Sequence, residues 1–286
     1  MNIILGASGQ IGSLIVDHLK NSGEPVRAVV RKPESQAGYL QLGVESVRAD
    51  LFDLPSLRRA FQNGKTLFVL TPENPLSADI FSDTRQILGN IKEALADSGI
   101  QRLVGLSSFG AQHSAGTGNL ALSYLLEHSF NDLALEQIYI RPAYYYSNWL
   151  GYLDSVRQSG VLPTFFPAEL KIPMAAPTDV AAFIADIIKS NKFKNRTVEL
   201  MGPSLYSSND IADVFGKILH KKVVVDSIPE THWKEVILQF GATENFSNSM
   251  TEMTRAVIEG KAAASEPDRV MGLTTSFEQY LKEMIN

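Results

Sequence analysis

Cysteine is absent from the 286 residues, which excludes disulfides, thiolate zinc sites, iron–sulfur ligation and a cysteine nucleophile together. Long apolar runs are absent too: nothing approaches the ~18 residues a membrane span needs. The opening MNIILGASGQ lacks the basic and long apolar regions of an export signal. These absences fit a cytoplasmic address with no membrane partner. Positive charge is scarce, with 26 Lys and Arg against 31 Asp and Glu and a net charge of −5. The densest basic spots, Arg31-Lys32 and His220-Lys221-Lys222, are too short to neutralise a phosphate backbone, so direct nucleic-acid binding is not expected. His18, His113, His128, His220 and His232 are scattered, without H-E-x-x-H or a hard-cation loop, so no metal site is expected. G-x-S-x-G is missing, which argues against an α/β-hydrolase.

What remains is an ordinary globular composition, 44% hydrophobic and 20% charged. The length suits about two domains, or one large α/β unit with an insertion. Through the first hundred residues, short β-branched or Leu-rich runs alternate with longer helical patterns. Strands are expected at 2–5, 25–30, 46–48, 66–70 and 102–106, and helices at 10–22, 36–42, 54–62 and about 78–98. Parallel strands joined in this way form a doubly wound sheet. The expected class is therefore α/β, a Rossmann doubly wound parallel sheet with a small C-terminal α/β lobe. Helices near 120–130 and 176–190 and strands at 134–141 and 197–200 return to the sheet. The expected division gives 1–149 with 174–201 to the Rossmann domain and 150–173 with 202–286 to the lobe.

Gly6-Ala7-Ser8-Gly9-Gln10-Ile11-Gly12 follows the first strand and opens the first helix. Gly6 suits a tight turn, Gly9 a close approach to a pyrophosphate, and Gly12 close helix–strand packing. The helix N-terminus adds free N–H groups and a partial positive charge. The other reading is that the glycines serve only a loop and a packing contact. Cofactor choice is read where the second strand ends, at Val29-Val30-Arg31-Lys32-Pro33. An NAD site usually places Asp or Glu there, whereas the Arg31 guanidinium matches a 2′-phosphate, so NADP is expected and NAD stays open. Otherwise Arg31 is a solvated surface cation. Asp50, at the tip of the third strand, either faces the adenine edge or caps the helix that begins near Leu54.

Ketone-reducing short-chain dehydrogenases use Tyr-x-x-x-Lys, the lysine lowering the tyrosine's pKa. The corresponding window here is Tyr124-Leu125-Leu126-Glu127-His128, and no lysine occurs from Glu93 through Leu170. His128 either replaces the proton donor or decorates a helix face. Ser107 and Ser108 follow the fifth strand, where their hydroxyls either contact ribose or substrate or serve turn chemistry. In Ile140-Arg141-Pro142-Ala143-Tyr144-Tyr145-Tyr146-Ser147-Asn148-Trp149, alternation sends Tyr144 and Tyr146 to one side and Tyr145 to the other. Such a strip either floors a flat ligand or packs at a lobe boundary.

Joined to Ala49-Asp50-Leu51-Phe52-Asp53, Pro177-Thr178-Asp179-Val180-Ala181, Thr197-Val198-Glu199-Leu200-Met201-Gly202-Pro203 and Tyr206-Ser207-Ser208-Asn209-Asp210-Ile211-Ala212, these motifs resemble the NmrA-like family of atypical short-chain dehydrogenases along essentially the whole chain. The resemblance implies NAD(P) in the Rossmann domain, with the lobe closing a cleft over the nicotinamide. Carried over by position, it implies that Gly6, Ala7, Ser8, Gly9, Gln10 and Ile11 hold the pyrophosphate and Arg31 the 2′-phosphate. Asp50 and Leu51 would take the adenine side, Thr71 and Pro72 the ribose, and Ser107 would join the cofactor-binding set. Many members keep a lysine near a glutamate matching Glu127, and Ser123 stands in its place. The family holds both reductases and cofactor-sensing regulators. One expectation is an NADPH-dependent reductase of a flat, electron-poor acceptor such as a quinone, azo compound or dye. Tyr144, Tyr146 and Trp149 would then frame the acceptor and Asn148 bond its oxygen. Hydride addition to a quinone leaves a delocalised phenolate that water can protonate, so the missing lysine is tolerable. The other expectation is a non-catalytic NADP-sensing protein with a regulatory protein partner. A homodimer is left open.

Overall fold

The first half of the chain folds as its alternation dictates. In the computed structural model, which describes residues 1–190 and 196–285, the elements run β1 (Asn2–Ile4), α1 (Gln10–Asn21), β2 (Val26–Val30), α2 (Pro33–Gln41), β3 (Glu45–Arg48), α3 (Leu54–Phe61), β4 (Thr66–Leu70), α4 (Ile80–Leu95), β5 (Arg102–Leu106), α5 (Leu120–His128) and β6 (Glu136–Pro142). There follow β7 (Tyr144–Tyr145), α6 (Ser147–Leu150), α7 (Leu153–Ser159), β8 (Val161–Thr164), β9 (Ile172–Ala175), α8 (Pro177–Lys189) and β10 (Arg196–Met201). The chain ends with β11 (Leu205–Tyr206), α9 (Ser208–Leu219), β12 (Val224–Ser227), α10 (Glu230–Gln239), α11 (Glu244–Ile258), β13 (Met271–Gly272) and α12 (Phe277–Ile285). Helix α2 starts three residues before the expected Gln36, because Pro33 at its first position has its φ preset and no N–H to leave unpaired.

The main sheet has eight strands in the order β13-β10-β6-β5-β4-β1-β2-β3, parallel at every pairing. Ile15, Val16 and Leu19 of α1 and Ile184, Ile187 and Ile188 of α8 cover one face. Leu57 and Phe61 of α3 with Ile87, Leu88 and Ile91 of α4 cover the other. Strands buried on both faces must be apolar throughout, which is why they read as continuous runs rather than alternations. The chain leaves β1 in one direction along the sheet and continues from β4 in the other. The crevice that this reversal opens beyond the strands' C-terminal ends is where a doubly wound sheet seats a ligand.

The remaining elements build a lobe around Tyr146, Trp149, Val156, Leu162, Phe166, Met174, Phe215, Phe277 and Tyr280. It carries a three-stranded sheet, β11-β9-β7, and a two-stranded one, β12-β8. The tail is not confined to the lobe: Met271 and Gly272 pair with Leu200 and Met201 as the edge of the main sheet. Asp179, at the start of α8, fixes this return by accepting hydrogen bonds from the amides of Thr274 and Thr275 and from the Thr275 hydroxyl. Residues 191–195, inside the 174–201 stretch assigned to the Rossmann domain, lie outside the described residues. Among the described residues no helix is long and apolar enough to cross a membrane.

Candidate functional site

Gly6 takes φ +62°, a conformation that side chains disfavour, and turns the chain from β1 into α1. A Cβ at Gly12 would lie 2.2 Å from the Gly6 carbonyl oxygen, so the helix packs on the turn only because that atom is missing. No side chain caps α1, and the first intrahelical bond runs from Ser13 N to Gly9 O. The amides of Gln10, Ile11 and Gly12 therefore have no intrahelical acceptor, at the end where the helix dipole is positive. Those three residues, with Gly6, Ser8 and Gly9, line a cavity of about 530 Å³. Arg31, Asp50, Leu51, Phe52 and Pro72 complete its wall. Arg31 is exposed, with no ion-pair partner among the described residues. Asp50 lines the cavity but does not cap α3, whose N-cap is Asp53 without a side-chain bond; its carboxylate accepts the Phe52 amide at 2.9 Å and holds the turn before that helix.

Ala7 departs from the expected set. Its side chain is fully buried in the core, its N–H donates to Val29 O at 3.3 Å, and its carbonyl accepts the Tyr39 hydroxyl at 2.6 Å. The residue supports the turn from beneath and leaves no amide for an anion. The Tyr39 brace, from α2, carries no motif that sequence reasoning could have used.

A second cavity of about 760 Å³ lies between the sheet and the lobe. Leu70, Leu106 and Glu73 line both cavities, so the two meet over the ends of β4 and β5. Its wall is largely apolar and aromatic, with Tyr144, Tyr145, Tyr152, Leu170, Met250, Met253 and Val257. Thr71, Ser107 and Asn148 line this cavity and not the one at the glycine turn. Burial pushes the phenols of Tyr144, Tyr145 and Tyr152 up, so they hold their protons; at Tyr144 the Tyr152 phenol adds to this and a hydrogen bond with Asn148 opposes it.

Tyr146 and Trp149 do not reach this cavity. Strand β7 lasts two residues, and Tyr146 already has the helical backbone (φ −56°, ψ −34°) that starts α6, so strand alternation stops at Tyr145. Tyr146 is buried among Tyr206, Phe277 and Tyr280, its hydroxyl lodged where a Cβ on Gly202 would be 2.6 Å away. The Trp149 indole N–H points to Met174 Sδ at 3.3 Å in the same core. Tyr145 lines the cavity instead, its buried hydroxyl without a hydrogen-bond partner. His128 also lies outside both cavities, exposed and stacked on Tyr124.

Behind the cavity wall, buried charges tie the sheet to the lobe. The Ser107 hydroxyl donates to Glu127 at 2.5 Å, and Arg141 grips Glu127 with two bonds of 2.8 and 2.6 Å. Arg141 also reaches Glu199 at 3.4 Å, and Glu199 accepts the amides of Ser265 and Glu266 and the Ser265 hydroxyl. Burial works against ionisation of Glu199, but those amides and Arg141 outweigh it and hold the carboxyl below the usual carboxylate range. Glu127, Arg141 and Glu199 come from three separate motifs, and nothing in their spacing announces that they meet.

Sequence reasoning also missed Glu73 and Asn119. Asn119 donates to the Glu73 carboxylate at 3.3 Å, and its own buried carbonyl oxygen has no partner. Glu73 is open to solvent as a residue, yet the walls around its carboxyl take water from it and push it up from its ordinary value, opposed in part by the Asn119 bond. The position of Glu73 just past the fourth strand was a usable signal, since strand ends carry the site in this architecture.

A family model described as the NmrA-like family matches residues 2–284. An NAD(P)H azoreductase from Xenophilus azovorans is 22% identical over 257 residues, covering 88% of this chain and 86% of that one. The crystal structure of an Escherichia coli NADPH-dependent quinone oxidoreductase complexed with NADPH superposes with a TM-score of 0.84 at 20% identity, covering all of both chains. Citrobacter triphenylmethane reductase complexed with NADP(H) superposes with a TM-score of 0.83 at 21% identity, again over the full length of both.

Proposed function

The chain belongs to the NmrA-like family, and from there we propose that it is an NADPH-dependent oxidoreductase acting on a flat, electron-poor aromatic acceptor of the quinone, azo or dye class. The observation that carries this is the continuity of the two cavities at Leu70, Leu106 and Glu73, an anion seat opening directly into an aromatic chamber. In support, the azoreductase, the quinone oxidoreductase and the triphenylmethane reductase are all reductases of such compounds by name. When bound, the reduced nicotinamide supplies a hydride.

The chain's own residues do the rest. The amides of Gln10, Ile11 and Gly12 hold the diphosphate without a side-chain charge, and Arg31 selects the 2′-phosphate. Pro72 and Leu51 line the nucleotide's path, and Ser107, with its proton committed to Glu127, lines the acceptor cavity. Tyr144, Tyr152 and the methionines of α11 shape a slot for a planar ring and exclude water from it. The Tyr145 ring adds to the wall of the slot, its hydroxyl buried behind it. Orientation in such a slot accounts for much of the acceleration a hydride transfer needs.

Steady-state oxidation of NADPH by purified protein, over a panel of quinones, azo compounds and cationic dyes, tests this. Turnover on at least one class is expected, with NADPH preferred to NADH; no turnover on any acceptor overturns it.

A second reading, cofactor sensing, is favoured by one feature. Thr243, at the start of α11, donates from its amide to Pro75 O and from its hydroxyl to Ser77 O, and Asn245 accepts the Ile80 amide. The loop that lines the nucleotide cavity is thereby fastened to the lobe helix that lines the acceptor cavity. NADP is expected to slow amide exchange at 74–80 and at 243–250 together; protection confined to the first segment removes the coupling a sensor requires.

A further inference from the structure

Both cavities contain charged side chains, but among the described residues only one carboxyl, that of Glu73, stands where they join. The acceptor cavity holds Lys171 besides Glu73, and the nucleotide cavity holds Arg31, Asp50 and Asp83. Asp50 is engaged with the Phe52 amide, Asp83 accepts the Ser77 hydroxyl, and Lys171 lies 4.0 Å from Asp210. No cation is within ion-pair distance of Glu73 among the described residues. Its polar neighbour is Asn119, a group suited to either protonation state, since an amide donates to a carboxylate or, turned over, accepts from a carboxylic acid. The Asn119 carbonyl oxygen that would accept is buried and unpartnered as it stands. The phenols of the same chamber are poor alternatives, because burial makes them hold their protons more tightly than free tyrosine does.

We propose that Glu73 is the proton donor of this site, extending its acceptors from quinones to compounds whose reduced anions are strongly basic, such as azo compounds. The inference rests on the reductase reading above. An azo acceptor that gains a hydride on one nitrogen carries the resulting electron pair and negative charge on the other. The O–H bond of the Glu73 carboxyl breaks as a new N–H bond forms there, and the product leaves as a neutral hydrazine. The carboxylate is reprotonated by water entering along the cleft, so one hydride and one proton are consumed per turnover. A quinone needs this much less, since its charge spreads into a phenolate that solvent can protonate after release. The carboxyl's raised pKa keeps more of it protonated than a glutamate of ordinary pKa retains at the same pH. Filling the two cavities removes further water and pushes in the same direction.

The test compares wild type with Glu73→Gln, a shape-conserving change that keeps the Asn119 contact and removes the acidic proton. With an azo acceptor the variant is expected to lose about 10²-fold or more in kcat, the range for a positioned general acid. With a quinone it should lose less than about tenfold, and its Kd for NADPH should stay within about twofold. Wild-type kcat on the azo compound should fall as pH rises through the carboxyl's own titration, and the variant should lack that limb. Without nucleotide or acceptor, the infrared C=O band of a protonated carboxyl should persist in wild type above the pH at which free glutamate ionises. It should be missing from Glu73→Gln.

Equal losses on both acceptors, no loss on either, or a band that titrates like free glutamate overturns the role of Glu73 and leaves the reductase reading in place. Wild type that reduces quinones but no azo compound does the same. Wild type that reduces nothing overturns both.

Discussion

Two tyrosines separated by one residue in a strand point the same way, and Tyr144 and Tyr146 break that rule because the strand ends between them. The consequence is an exchange of roles: Tyr145 faces the acceptor cavity and Tyr146 the lobe core. Kinetics of two variants check the exchange. Tyr145→Ala removes a ring that lines the cavity and is expected to raise KM for the acceptor about three- to tenfold, the worth of one aromatic contact. Tyr146→Phe is expected to leave kcat and KM within about twofold and to alter only stability. If Tyr146→Phe impairs turnover and Tyr145→Ala does not, the assignment is reversed. The glycines of the turn, by contrast, were legible, because Gly6 takes a positive φ that side chains disfavour and Gly12 leaves no room for a Cβ. Ala7 was not, since burial and amide pairing depend on neighbours in β2 and α2 that lie far along the sequence.

At the scale of elements, periodicity identified the parallel strands and their connecting helices, because a strand covered on both faces and a helix covered on one leave different apolar spacings. It failed where elements are short. Strands β7, β11 and β13 span two residues each and owe their existence to partners, not propensity. The link between β6, β10 and α5 was equally invisible, because Glu127, Arg141 and Glu199 meet only once the sheet has assembled. Removing one member strands the others in a buried setting, so Glu199→Gln is expected to cost about 3 kcal/mol at pH 7 by chemical denaturation.

The sign of the pH dependence follows from the lowered carboxyl. Glu199 is deprotonated in the fold at pH values where the unfolded chain has begun to bind the proton. Its contribution is therefore present above about pH 4.3, the ordinary glutamate value, and is lost as pH falls through the lower folded value. Wild type should lose stability more steeply than Glu199→Gln in that acid window. Parallel curves for the two would remove Glu199 from the linkage.

Taken whole, the molecule joins a dinucleotide-type crevice to an aromatic chamber and fastens the two with hydrogen bonds from α11 to the loop after β4. Fold class and the position of the crevice could be read from the chain because they follow from strand order and one turn. The acceptor chamber could not, since its wall is drawn from eight or so separated segments whose meeting depends on tertiary packing. All of the chemistry depends on the nucleotide seat. Thermal unfolding measured against increasing NADPH and NADH tests that seat directly, because a ligand that binds only the native state raises stability by RT ln(1 + [L]/Kd). NADPH at a hundred times its Kd should stabilise wild type by about 2.7 kcal/mol. NADH should do less at the same concentration, and Arg31→Asp should abolish the difference. An unfolding temperature that neither nucleotide moves would contradict the seat and everything built upon it.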